Sequence, residues 1–275
     1  MTATSPEADL LARLERFYDA VPRAGARIEE IGPFTLFISL GPWPYYARPR
    51  LGFVGPIEPG DVVAVRERQR QLRIPETVEW VVETTPSLAP VLRLSGMTVE
   101  EVPLLVLREH RSAALSGGYR LRRIQPDEPE LDRVLAVAAV AFSNAGTATA
   151  DVGVAERDLR AAADGGGDHT RLRERLANRS TVMYVAEDDR GPVASGAHQA
   201  VDGVTEIVGV ATLPIARRQG LGAAITSALV EDALGAGIDT VFLSAASDDV
   251  ARVYERLGFE RIGRAGLAEP SGVPA

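Results

Sequence analysis

Two arginines and two glycines lie at a spacing suited to holding phosphate. In VTEIVGVATLPIARRQGLGAAI, residues 204–225, a strand pattern from Val204 to Thr212 runs into a short loop. The loop ends in Arg217-Arg218-Gln219-Gly220-Leu221-Gly222-Ala223, and a helix pattern follows without a break. A glycine-rich turn feeding a helix N-terminus is an anion site, because backbone N–H groups are unpaired there and the helix dipole adds positive potential. Gly220 and Gly222 let the backbone approach phosphate oxygens without a Cβ in the way. Arg217 and Arg218 add charge and forked donors. The segment is expected to hold a pyrophosphate.

Two familiar phosphate motifs fail here. A dinucleotide fingerprint needs a third glycine, where this chain has Ile225. A nucleotide P-loop needs Gly-Lys-Ser/Thr, and the chain contains no lysine. The spacing that fits is Arg-x-x-Gly-x-Gly, met by Arg217, Gly220 and Gly222. It resembles the coenzyme A pyrophosphate loop of the GNAT superfamily of N-acetyltransferases. A second motif follows downstream. Thr240 to Ser244 reads as a buried strand, and Ser247-Asp248-Asp249 as a helix start. Val250, Val253, Tyr254 and Leu257 recur at helical spacing, and Gly258 is placed to stop the helix before a strand at Phe259–Ile262. Val253-Tyr254-Glu255-Arg256-Leu257-Gly258-Phe259 is similar to the GNAT tail motif LYEKLGF. The two motifs stand in the family's order and separation.

The resemblance implies an α+β chain with a GNAT fold: a mixed, mostly antiparallel sheet flanked by helices. It implies acetyl-CoA as donor substrate. Val210, Ala211 and Thr212 would bond pantetheine through the main chain, beside a bulge that splays this strand from the next. An N–H near Val210 would polarise the thioester. Arg217, Arg218, Gln219, Gly220, Leu221, Gly222 and Ala223 would form the pyrophosphate site. Tyr254 matches the family tyrosine that protonates the leaving thiolate, a role suited to a phenol protonated at neutral pH. Ser247 stands where many relatives have a cofactor-touching asparagine; it contacts the cofactor or only caps a helix. For the base, strand alternation puts Glu206, Val208 and Val210 on one face. Facing an acceptor cleft, Glu206 could take the amine proton directly or through water; otherwise it is a solvated strand carboxylate. His198 is a lesser candidate.

These motifs need a scaffold. Tyr119–Ile124, Glu130–Phe142, Arg171–Ala177, Thr181–Ala186 and Val193–Ala200 read as strand, helix, helix, strand and strand, and Asp202-Gly203 as a hairpin turn. Residues 119–275 are expected to form the catalytic GNAT domain. Residues 1–112 read as a degenerate half-GNAT-like domain, joined through the small, polar stretch at 111–118. The repeat shows when Gly96 is aligned with Gly258: Trp80 falls on Phe242, Leu88 on Val250 and Val91 on Val253. The corresponding loop, Gly55 to Asp61, carries acids where arginines are needed, so a single cofactor site is expected. The N-terminal domain would cover the acceptor side or build a homodimer interface. Trp43, Tyr45 and Tyr46 form an aromatic loop that lines a pocket or packs on its own domain.

Composition narrows the function classes. With 275 residues the chain can build one large or two modest domains. A net charge of −8 disfavours a general nucleic-acid role. The absence of cysteine removes disulfides, thiolate metal sites and acyl-cysteine intermediates. His110, His169 and His198 have no ligand spacing, so no metal is expected. No apolar run is long enough to span a bilayer and no export signal is legible, so a cytoplasmic location is expected. The resulting expectation is N-acetyl transfer from acetyl-CoA to a small-molecule or peptide amine. The alternative is a non-catalytic acyl-CoA-binding regulatory module.

Overall fold

The computed structural model describes residues 5–41, 44–115, 117–144, 146–165 and 167–272. Trp43 of the aromatic loop lies outside the described residues. The chain divides into two compact units. One comprises residues 1–105, 244–248 and 261–275, the other residues 106–243 and 249–260.

In the first unit, Ser5 opens α1 (Pro6–Arg23) by accepting the Ala8 N–H. Strands β1 (Ala26–Ile31) and β2 (Phe34–Ser39) form an antiparallel pair, followed by β3 (Ala47–Pro49), α2 (Pro59–Leu72), β4 (Val78–Val81), α3 (Leu88–Leu94) and β5 (Met97–Leu107). The final strand, β11 (Phe259–Pro270), enters between β4 and β5 and pairs antiparallel with β4, Ala265 opposite Val81. The core is Phe34, Leu36, Val65, Trp80, Leu88, Leu92, Met97 and Ala268. By packing, residues 244–248 and 261–272 group with the N-terminal unit. Trp80 lies against the backbone of Gly266 so closely that a Cβ there would stand 2.4 Å from the ring. The unit also holds α1, β1 and β2.

The second unit is a meander with one parallel addition: β6 (Arg120–Arg123), β7 (Thr181–Asp188), β8 (Gly191–Val201) and β9 (Val204–Thr212) are antiparallel neighbours, and β10 (Thr240–Ser244) runs parallel to β9. Helices α4 (Leu131–Phe142), α5 (Val154–Asp164) and α6 (Thr170–Ala177) separate β6 from β7. A 3₁₀ turn at Pro214–Ala216 and α7 (Leu221–Gly235) separate β9 from β10. Helix α8 (Asp248–Glu255) follows β10. Leu131, Val134 and Leu176 pack with Met183, Val185 and Ala197 on one face of the sheet. Helix α7 covers the other, and comes close because β8 has no side chain at Gly196. A Cβ there would stand 2.8 Å from Ile225 Cγ2 and 3.3 Å from Leu229 Cδ1. That approach places the start of α7 beside the end of β9.

Candidate active site

The site grows from an irregularity in β9. Ala197 pairs with Val208 and Ser195 with Ala211, so two residue steps on β8 oppose three on β9. Gly209 absorbs the extra residue with φ +63°, the left-handed conformation of a glycine bulge. The bulge corrects the expected alternation. Cross-strand partners share a face. Glu206 (opposite Gln199) and Val208 therefore share their face with Ala211. Val210 instead packs beside Gly196 under α7, its Cγ2 3.1 Å from the Cβ position there. On the other edge, β9 pairs with β10 at Val204, Thr205 and Glu206, and the pairing stops there although β9 continues to Thr212. The strands part where pantetheine is expected to lie.

The turn after β9 supplies an anion cradle. Gly220 is the N-cap of α7 with φ +76°, and a Cβ on it would meet nothing within 4 Å. The first helical bond is closed by the Ala224 N–H to the Gly220 carbonyl at 3.0 Å. Among the described residues, no protein acceptor takes the N–H groups of Leu221, Gly222 or Ala223. A Cβ on Gly222 would stand 3.7 Å from Val210 Cγ1 and 4.0 Å from Thr212 Oγ1. The end of β9 and the first turn of α7 are thus in van der Waals reach. Unpaired donors, a dipole and two open glycines fit a diphosphate.

The polar side chains of the loop divide their work differently from expectation. Arg218 is exposed and holds φ +63°, unusual for a residue with a Cβ. The Gln219 side-chain oxygen accepts from Tyr119 Oη at 2.8 Å, a partner that sequence reading missed. Arg217 departs most. Its guanidinium donates to the carbonyls of Thr212 (3.3 Å), Ala148 (3.0 Å), Ala141 (3.1 Å) and Asn144 (2.6 Å). The structure assigns its donors to backbone oxygens, where a phosphate contact was expected.

Tyr254, on α8, is 8% exposed and meets Phe259 edge-on at 6.1 Å. Burial pushes its phenol up to about 12. Among the described residues its Oη has no hydrogen-bond partner. A buried phenol with a spare donor suits a leaving group that gains charge. Ser247 is exposed just before α8 and groups with the first unit, not with the loop residues above. Glu206 is half-buried on β9. His198 is 2% exposed and committed elsewhere: Nδ1 lies 3.0 Å from Thr205 Oγ1 and Nε2 3.3 Å from Asp232 Oδ2. Burial holds its imidazole below the usual histidine range, against the pull of Asp232. It pairs with Ile207, so it points to the face opposite Glu206. Among the described residues no group of three His, Asp or Glu could hold a metal, and no helix is long and apolar enough to cross a membrane.

Comparison with known proteins agrees with this geometry. The acetyltransferase (GNAT) domain family matches residues 179–261. A GCN5-related N-acetyltransferase from Kribbella flavida superposes with a TM-score of 0.69 at 24% identity, covering 96% of each chain. A GCN5-related N-acetyltransferase-like protein from Streptococcus suis 89/1591 gives 0.56 at 12% identity, covering 96% of this chain and 99% of that one. A tandem GNAT protein from the clavulanic acid biosynthesis pathway gives 0.53 at 17% identity, covering 88% of this chain and 79% of that one. At these identities the likeness is one of fold. No curated protein matches the chain.

Proposed function

From the premise that residues 179–261 are a GNAT acetyltransferase domain, we propose that this chain is an acetyl-CoA-dependent N-acetyltransferase. Its acceptor is a primary amine of a small molecule or peptide. The observation that carries the reading is the close approach of Gly222 to the bulged end of β9, beside three N–H groups with no protein acceptor among the described residues.

Acetyl-CoA supplies an activated thioester. The N–H groups of Leu221, Gly222 and Ala223 hold the diphosphate, with Arg218 adding charge. Main-chain groups of Val210, Ala211 and Thr212 hold the pantetheine arm where β9 parts from β10. An N–H at the bulge polarises the carbonyl. As the amine nitrogen bonds to the carbonyl carbon and the carbon–sulfur bond breaks, Glu206 takes the amine proton, directly or through water. Tyr254 Oη donates to the departing sulfur. No enzyme nucleophile is required, consistent with a chain lacking cysteine. Ser247 either bonds the cofactor or caps α8.

We infer a single donor site, within residues 119–260, and the state of α2 supports it. Its first turn is closed by its own carboxylate: Asp61 Oδ2 accepts the Glu58 N–H at 2.9 Å. A negative charge already occupies the position a phosphate would need. We assign residues 1–112 to acceptor cover or dimerisation and place the protein in the cytoplasm.

An amine panel with acetyl-CoA, read by free CoA release, tests the reading. At least one amine should give turnover above hydrolysis. Tight CoA binding with no turnover on any amine would favour the regulatory module instead. With an accepted amine, Glu206→Gln should lower kcat/KM at neutral pH by about 10²-fold and remove the acidic limb of the pH–rate profile. An unchanged profile would exclude Glu206 as the base.

A further inference from the structure

Between Ser143 and Gly153 none of the described residues is in a helix or strand, so this segment has no ladder of its own. Its order comes from the residues after β9. The Ile215 N–H donates to the Val152 carbonyl at 3.1 Å, and the Ala150 N–H to the Pro214 carbonyl at 3.4 Å. Gly153 packs directly under Ile215, whose Cγ2 would stand 2.5 Å from a Cβ there. Arg217 adds four bonds, to the carbonyls of Ala141 and Asn144 at the end of α4, to Ala148, and to Thr212 at the end of β9. The carbonyls at a helix C-terminus have no intrahelical partner, so Arg217 satisfies groups that otherwise need water. Partial burial lowers the guanidinium from its usual range, and among the described residues it has no carboxylate partner. The same stretch borders a cavity of about 190 Å³ lined by Val140, Ser143, Asn144, Val152, Glu156 and Arg160.

We infer that Arg217 is a positioning residue: it ties residues 146–153 and the end of α4, which packs on the Glu206 face of the sheet, to the Thr212 carbonyl, and so sets the wall on the side of the proposed base. Only a planar fork with five donors can serve acceptors on three chain segments at once; an ammonium, with three donors on one atom, cannot span them. The catalytic readout rests on the acetyltransferase reading above, whereas the amide-exchange readout rests on geometry alone.

The test compares Arg217→Ala and Arg217→Lys with the unmodified chain by amide hydrogen exchange, CoA titration and steady-state kinetics. Both variants should raise exchange at 146–153 by tenfold or more and raise the amine KM by about tenfold or more. CoA affinity and kcat should stay within about threefold. A tenfold loss of CoA affinity in Arg217→Ala, restored in Arg217→Lys, with exchange at 146–153 unchanged, would overturn the inference in favour of a phosphate contact. If Arg217→Ala does not fold, Arg217→Lys decides by the same exchange measurement. Failure of the unmodified chain to bind CoA would sink the function while leaving the exchange comparison decisive for Arg217.

Discussion

Tyr254→Phe lowers kcat by about 10²- to 10³-fold and leaves CoA affinity within a factor of about two, the loss expected when a positioned proton donor is removed. The substitution deletes one oxygen and keeps the ring, so the edge contact with Phe259 survives. Oη has no protein partner among the described residues, so removing it orphans no buried group. Stability at neutral pH should change little. The same burial that pushes the phenol to about 12 would also disfavour a departing thiolate beside it. Both groups therefore favour a proton shared between them as charge develops on sulfur. Turnover should show no alkaline loss from Tyr254 below pH 10.

The sign of the linkage follows from the raised value. The folded state keeps the phenolic proton to about pH 12, whereas the unfolded chain releases it near pH 10. Its contribution is full below pH 10 and lost as pH rises through 12, amounting to about 3 kcal/mol at most. Denaturant titrations at pH 8 and pH 11 should show a smaller fall for Tyr254→Phe than for the unmodified chain. Equal falls would mean the phenol is more solvated than the structure has it. Unchanged kcat would remove Tyr254 from the chemistry.

Gly222→Asp separates the two things a helix N-terminus does. An aspartate in the first turn complements the helix dipole and adds about 0.3–1 kcal/mol. Replacing a helical glycine gains a similar amount. The space accepts a Cβ, with Val210 Cγ1 at 3.7 Å as the nearest side-chain atom. The melting temperature should therefore hold or rise. The carboxylate would then sit over the N–H groups of Leu221, Gly222 and Ala223, and CoA affinity should fall by at least about 100-fold, the effect of a like charge in a desolvated anion site. Wild-type affinity in this variant would place the diphosphate elsewhere.

The elements with strong local signals were legible in the sequence. Strand β9 falls on the expected residues, Val204 to Thr212, because β-branched residues mark it clearly. The Asp202-Gly203 turn is legible because both residues tolerate positive φ, found here at +49° and +74°. The GNAT fold was legible through two motifs, and the bulge through that resemblance; Gly209 within a strand is the local signal that carries it. Tertiary assignments were not legible. Nothing local in Phe259–Pro270 says that its later residues pair with β4, since that register depends on Gly266 meeting Trp80 far away in sequence. Motif spacing marks Arg217 as cationic beside a phosphate loop, but the acceptors it serves lie at 141–148, and only the folded chain brings them together. His198 reads as a candidate base on a neighbouring strand until its partners, Thr205 and Asp232, are seen.

Titration of the full chain with CoA by calorimetry, at two ionic strengths, tests the central claim most directly. The account predicts one site per chain, weakened by salt as Arg218 and the helix dipole are screened, and abolished in Gly222→Asp. A folded chain that gives no heat with CoA or acetyl-CoA, or binds them equally well in Gly222→Asp, would contradict it.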